Sequence, residues 1–495
     1  MWYNSGRKTV ERDFNMEALY ILLALLVLIV AFIAVLAVRA AAVGKKARPI
    51  GEKPVWHSEE EDLLYAQRLV KMIECRTVSS KDVYDDTEFA KLRAVMKELF
   101  PLVHERAEIK YFSEDCWVYK IEGVDTSRNI LLMSHHDVVP AAGEWSHEPF
   151  GEIDDGVVWG RGTVDTKTPL FAEFTAVEEL LSDGYIPPCN LYIASGHNEE
   201  IFGDGIKEAV SYFKAQGITF ELALDEGGGI IEPPLSGIDC KCAMMAVHEK
   251  GYHRVNVRAV QGDSAGLGVS NSPVLRVSKF IAEVSRMKFT CKMPTQVRAM
   301  FEALAPYMSF PLRMVFGNLW CMAPLLIKLI PKISPQAAAM LGTTCAFGSI
   351  ESKKGEVPRD NECSASALVR YMDEEDLERD MEKFRALAKK YSLEVTEPED
   401  GHEFHRGADL SLPQYEYIRR CAAEVFPYAA VAPFVLAAGT DARWMSDVCP
   451  CTLRFAPIDI SNQQFASVHG PDENIDIKAI GSAIEFYKTV LKNYE

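Results

Sequence analysis

The sequence predicts an α/β fold, with short strands forming a buried parallel sheet between helices, preceded by one transmembrane helix. Three observations carry this. Apolar runs of four or five residues alternate with helical patterns over much of the chain, as in sheets covered on both faces. Each run ends in a cluster of polar, ligand-type side chains. A single uncharged stretch of 21 residues, Ala18 to Val38, lies near the N-terminus.

Residues 1–17 form a polar tail and 18–39 the span. At 1.5 Å per residue, 21 residues cross roughly 30 Å of hydrocarbon. A cleavable signal peptide is the rival, with Ala40 to Ala42 as its small-residue site. A signal h-region is about 7 to 15 residues, however, so a retained single-pass anchor is favoured. Arg7, Lys8 and Arg12 precede the span, while Arg39, Lys45, Lys46, Arg48 and Lys53 follow it. The positive-inside rule then leans the large domain towards the cytoplasm. A linker over 40–60 contains Pro49 and Pro54. Beyond it come an amphipathic helix over Asp62–Cys75 and a strand over Asn129–Met133. A helix follows over Pro169–Ser182, with Gly184 past its end, then a strand over Leu191–Ala194, a helix over Ile206–Ala215 and a strand over Phe220–Leu224.

The 495 residues exceed one ordinary domain. With 53 basic and 71 acidic residues the net charge is -18, which excludes a chain-wide field for nucleic acid. A composition 48% hydrophobic and 25% charged excludes disorder. The twelve cysteines read as reduced thiols, because Cys240/Cys242 and Cys449/Cys451 lack structural zinc spacing.

The strands place their polar clusters at carboxyl ends, the edge where open α/β sheets bind ligands. The clusters are Ser134-His135-His136-Asp137, Gly196-His197-Asn198-Glu199-Glu200 and Asp225-Glu226-Gly227-Gly228. A loop, Gly160 to Lys167, presents Asp165, and Val468 to Glu473 presents His469. Singly, each has a structural explanation: a core histidine, a turn aspartate, an acidic helix start. Jointly, two histidines and three carboxylates are the inventory of two metals sharing a bridging carboxylate. Asp137 is placed to take the His135 N–H and fix its tautomer.

H-x-D-V-V-P at His135 to Pro140, G-R-G-x-x-D-x-K at Gly160 to Lys167, G-H-x-E-E at Gly196 to Glu200, L-D-E-G-G at Leu224 to Gly228, G-T-D-A-R at Gly439 to Arg443 and H-G-x-D-E at His469 to Glu473 occur in this order. Together they resemble the M20 metallopeptidase family over roughly residues 60 to 490. The N-terminal anchor and the apolar segment before residue 340 look most like its carboxypeptidase S and N-fatty-acyl-amino-acid hydrolase branch. The resemblance implies a zinc-peptidase-type mixed sheet flanked by helices, with an inserted smaller α/β lid domain. The catalytic domain would comprise 61–249 and 374–495, and the lid 250–373, opening with the strand His253 to Val260. The resemblance further implies two zinc ions (Zn2+), with His135 and Asp225 on one, Glu200 and His469 on the other and Asp165 bridging. Glu199 would be the general base, Asp137 would join it as a catalytic residue through its hold on His135, and Arg443 would receive a substrate carboxylate or form a structural salt bridge. The expected reaction is cleavage of an amide bond in a peptide C-terminus or an N-acyl amino acid, with a homodimer through the lid allowed.

Two departures fall in the lid. Gly262-Asp263-Ser264-Ala265 stands where the family has G-H-S-S, and Gly355-Glu356-Val357-Pro358 replaces N-x-x-P. Asp263 would repel a developing oxyanion, which makes a metal-binding protein with little hydrolytic activity one alternative. The other is a serine hydrolase using Ser264, since Gly262 to Gly266 fits G-x-S-x-G; the loop-like Gly266 to Pro273 and the lack of an upstream oxyanion segment oppose it. Met314 to Ile327 is uncharged but, at 14 residues, short for a span. It is expected as lid core, a dimer contact, or an apolar wall for acyl chains beside the membrane.

Overall fold

The computed structural model describes residues 3–82, 84–261, 272–333, 335–354, 360–398 and 402–494. Its main sheet has nine strands. Along the hydrogen-bonded path these are Glu108–Phe112, Cys116–Ile121, Cys189–Gly196, Asp125–His135, Leu222–Asp225, Thr452–Arg454, Lys241–Glu249 and Ala429–Leu436, with Gly229–Ile231 added on Lys241–Glu249. The centre is parallel, as the continuous apolar runs require, and the Glu108–Phe112 edge is antiparallel. The sheet is therefore mixed.

Alternation along the strands sends Ile130, Leu132, Leu191, Ile193, Leu222 and Leu224 to one face, where they meet Phe171, Phe174 and Phe486. Leu131, Met133, Tyr192, Ala194 and Ala223 face the other way, against Ile206, Val210 and Phe213 of the helix Gly205–Gln216. The first face is covered by the helices Glu59–Ile73, Lys167–Ser182 and Ile477–Lys492. Glu59–Ile73 begins with a reciprocal capping box between Ser58 and Glu61.

A second, five-stranded antiparallel sheet runs Thr344–Lys354, Asp360–Tyr371, Gly251–Val260, Glu394–Thr396, with His402–Glu403 also paired to Gly251–Val260. Its core joins Val255, Val257, Phe280 and Phe384. The boundary expected at 373 falls inside this unit, because the helix Glu374–Lys390 and the two following strands pack on the same sheet. The chain passes between the sheets at Lys250, whose buried ammonium donates to Ala339 O (3.0 Å), Gly342 O (2.7 Å) and Thr344 Oγ1 (3.2 Å).

The apolar segment corrects another expectation. Its helices Thr295–Leu304, Phe310–Phe316, Leu319–Ile333 and Pro335–Leu341 do not fill the second sheet's core. Val297, Met300, Phe301, Leu326 and Ile330 instead pack on Cys242, Met244, Ala430 and Ala432 at the edge of the main sheet. The 40–60 stretch is likewise no free linker. The apolar helix runs on to Gly44, Arg48 donates to Ala429 O (3.1 Å), the Gly51 N–H donates to Pro427 O (2.9 Å), and Lys53 pairs with Asp459 (2.5 Å). Leu19–Gly44 is long and apolar enough to cross a membrane and stands almost wholly outside the packed core; a signal sequence shares those features.

The turn leaving Leu222–Asp225 uses Gly227 at φ 90° and Gly228 at φ 76°. A β-carbon on Gly228 would lie 2.2 Å from Met244 O. Gly228→Ala is expected to lower stability by at least the roughly 1–3 kcal/mol of a strained left-handed residue. An unchanged thermal midpoint would contradict this packing.

Candidate active site

Strand register creates the site. His135 lies level with Gly196 on the neighbouring parallel strand, and Leu132 lies level with Leu224. The residues just beyond these ends therefore share one edge, and the loops carrying Asp165 and His469 close over it. His135 Nε2 is 3.0 Å from Asp165 Oδ1 and 3.8 Å from Glu226 Oε1. His469 Nε2 is 3.1 Å from Asp165 Oδ2 and 3.0 Å from Glu200 Oε2. Two trios result, His135/Asp165/Glu226 and Asp165/Glu200/His469, each with ligand atoms within 4.8 Å of one another. Asp165 belongs to both, turning one oxygen to each.

Asp225 is not in either trio. It is still in the strand, so pleating sends its carboxylate to the face of the Asp441–Asp447 turn, where Oδ2 accepts the Ala442 N–H at 2.7 Å. Glu226, the first residue past the strand, reaches the edge in its place. The only sequence signal for this was its adjacency to Asp225 in the L-D-E-G-G motif.

Asp137 holds the main chain of the acidic pair. Its carboxylate accepts the N–H groups of Glu199 (3.1 Å) and Glu200 (3.2 Å). His135 Nδ1 lies nearer to the Asp137 carbonyl (2.9 Å) than to its carboxylate (3.4 Å), so the main chain shares in setting the tautomer. In this geometry Asp137 is a positioning residue.

Glu473 was not singled out from the sequence, although it closes the last motif. It is fully buried and accepts the N–H groups of Val164 (2.8 Å), Asp165 (3.1 Å) and Gly162 (3.1 Å), with Arg161 paired to it. Arg161 Nη2 reaches Gly470 O at 2.9 Å, which ties the Asp165 loop to the His469 turn.

The charges follow from this crowding. His469 is pushed up to about 10 by its hydrogen bonds to Asp165 and Glu200. Burial acts to lower His135, yet Asp137 and Asp165 hold it well above its ordinary value. Burial acts upward on Asp165, but His135 and His469 hold it well below the usual carboxylate range. Burial raises Glu199 and Glu226, the latter with help from Asp165. The site concentrates negative charge that draws positive charge in.

Asp263, Ser264 and the Gly355 to Pro358 segment lie outside the described residues, so neither lid departure has a structural reading.

The profile of the peptidase family M20/M25/M40 matches residues 131–493. The chain belongs to this family. It is 28% identical over 448 residues to a probable carboxypeptidase S-like 2 of Dictyostelium discoideum, covering 88% of this chain and 86% of that protein. It is 27% identical over 456 residues to the human N-fatty-acyl-amino acid synthase/hydrolase PM20D1, covering 89% of each. Its fold matches the M20 family metallo-carboxypeptidase Sso-CP2 of Sulfolobus solfataricus with a TM-score of 0.62 at 17% identity, covering 87% of this chain and 98% of that one.

As an M20-family metallopeptidase or amidohydrolase, the chain needs a substrate-holding region beside the trios. Arg443 is buried there, with Nη1 3.7 Å from Glu199 Oε1. Among the described residues its Nε and Nη2 have no hydrogen-bond partner, Glu403 and Asp441 standing 3.6 and 3.8 Å away. Arg370, from the second sheet, lines the same small cavity with Tyr252 and Gly439. Nothing in the sequence marks Arg370, whose neighbours Tyr252 and Gly439 lie far away along the chain.

Glu473→Gln puts an amide N–H against main-chain N–H donors and slackens the Asp165 loop. We expect a 10- to 100-fold loss of metal affinity or turnover, the usual size for a residue supporting a ligand. Wild-type affinity and turnover together would contradict the assigned role.

Proposed function

We propose that the chain is a membrane-anchored dinuclear zinc hydrolase that cleaves the amide bond of a peptide C-terminus or an N-acyl amino acid. The carrying observation is the Asp165 carboxylate, each oxygen of which meets a different histidine at 3.0 or 3.1 Å, each histidine with its own glutamate. Nitrogen and carboxylate donors in this ratio fit zinc. Glu200 Oε1, buried without a hydrogen-bond partner among the described residues, fits a site that takes a cation. His135 and Glu226 would hold one ion, Glu200 and His469 the other, and Asp165 both. When bound, the metals supply Lewis-acid polarisation of the scissile carbonyl and a more acidic water.

The chain's own groups do the rest. Glu199, held by Asp137 through its N–H and raised by burial, takes the water proton and returns it to the leaving nitrogen. Arg443, whose Nε and Nη2 stand at ion-pair distance from Glu403 and Asp441 without a hydrogen bond among the described residues, orients the substrate carboxylate next to that base. Family membership and this ligand-type cluster favour a metal enzyme over the serine-hydrolase and non-hydrolytic alternatives.

The apolar helix is taken as a retained single-pass anchor because its C-terminal end is bonded to the folded body: Asn318 Nδ2 donates to Leu36 O, and Arg39 Nε donates to Asn318 Oδ1, both at 3.2 Å. The basic residues after the span lean the domain to the cytoplasmic side. A homodimer through the second sheet is supported by its edge strand Thr344–Lys354, on which Ile350 is exposed.

Glu199→Gln removes the base and no ligand. The variant is expected to keep about two zinc equivalents per chain, as a two-metal site does, by elemental analysis, and to lose turnover on both dipeptides and N-acyl amino acids. Metal loss in Glu199→Gln, or full wild-type activity after chelation, would overturn the assignment.

A further inference from the structure

The mechanism uses none of the apolar helices near the main-sheet edge. In the helix Leu319–Ile333, Leu319, Ala323, Leu326 and Ile330 are buried at helical spacing. The outer side exposes Trp320 on one flank and Leu325 and Leu329 on the other, 56%, 50% and 39% accessible, with the exposed Lys328 and Lys332 between them. Phe310, at the start of Phe310–Phe316, is 45% accessible, and the two helices meet at 97°. A surface helix of a soluble protein carries polar side chains on its outer face; this one sets large apolar groups on both sides of its two lysines. Residues 292–341 also hold five basic and one acidic side chain, in a chain of net charge -18.

The neighbouring element identifies what covers this face. The turn between the helices sits against the N-terminal apolar helix: Asn318 is fully buried and bonded to both Leu36 and Arg39. Trp320 meets Phe32 edge-on, with ring centroids 6.2 Å apart, and Val43 packs into the same cluster as Phe316 and Leu319. Phe32 precedes Arg39, the first charge after the uncharged run, by an axial distance of about 10 Å at 1.5 Å per residue. Trp320 thus sits on the hydrocarbon side of the boundary that Arg39 marks, near the roughly 5–10 Å depth of helices lying in a membrane interface.

We propose that Phe310–Ile333 is a monotopic insertion element that lies in the same bilayer leaflet as the end of the span. Trp320, Leu325 and Leu329 enter the acyl region, and Lys328 and Lys332 reach the phosphates of anionic headgroups. The element rests on the reading of Leu19–Gly44 as a retained span. It gives the hydrolase a second attachment and fixes which face of the main sheet looks at the membrane.

The test uses the full-length chain reconstituted in phosphatidylcholine/phosphatidylglycerol vesicles with brominated acyl chains, washed with carbonate before tryptophan fluorescence is read. The chain is expected to survive the wash, to be quenched by bromine, and to lose a distinct part of that quenching in Trp320→Phe. Leu325→Glu, at an exposed position, should reduce quenching of Trp320 while hydrolysis of a soluble substrate stays at the wild-type level. Release by carbonate would refute the span and the element with it. Retention with the same quenching in wild type and Trp320→Phe would overturn the element alone. So would an unquenched Trp320 that becomes protected as protein concentration rises, because a second copy of the chain would then cover the face.

Discussion

The site depends on one buried carboxylate holding another in place. Glu473 gathers the N–H groups of Gly162, Val164 and Asp165 around its two oxygens and is balanced by Arg161. Charged hydrogen bonds of this kind are roughly twice as strong as neutral ones, and in a dry interior their loss leaves several groups unsatisfied together. The result is that Asp165 cannot drift. Its two oxygens stay divided between His135 and His469, which come from opposite ends of the family-matched region.

The rest of the site is organised in the same way, with each functional side chain fixed by main-chain contacts. Asp137 anchors the N–H groups of Glu199 and Glu200, which ties the two acidic side chains to one support. Glu249 accepts from the Thr440 N–H (3.2 Å) and hydroxyl (2.6 Å) and pairs with Arg454, which fixes the turn carrying Arg443. Lys167, lowered by burial to about 8, donates to Met72 O (3.1 Å) and Cys75 O (2.6 Å) below the Asp165 loop. Such supports keep reacting groups near their working positions. The same rigidity explains why carboxylates can crowd there despite mutual repulsion.

The central strands Cys189–Gly196, Asp125–His135 and Leu222–Asp225 were legible because they are largely apolar and each ends in polar residues. The strand predicted over Asn129–Met133 runs Asp125–His135, and the helix predicted over Pro169–Ser182 starts two residues earlier at Lys167. The site was legible as a set of motifs, and His135, Asp165, Glu200 and His469 do come together. The choice between Asp225 and Glu226 was not legible. It depends on where the strand stops and on the Ala442 N–H, which lies far off in sequence. The expected boundary at 373 failed for a similar reason: the short strands Glu394–Thr396 and His402–Glu403 gain their place only by pairing with Gly251–Val260. Hydrophobicity marked residues 314–327 as buried or interfacial without revealing that Asn318 would bond to the N-terminal helix.

The proposed hydrolase stands or falls on Asp165 serving two metal positions. Anomalous diffraction at the zinc absorption edge, on crystals of the zinc-loaded chain, tests it most directly. Two peaks are expected to flank Asp165, one contacted by His135 and Glu226 and the other by Glu200 and His469. A single peak, or a first peak ligated by Asp225 with Glu226 turned away, would contradict it.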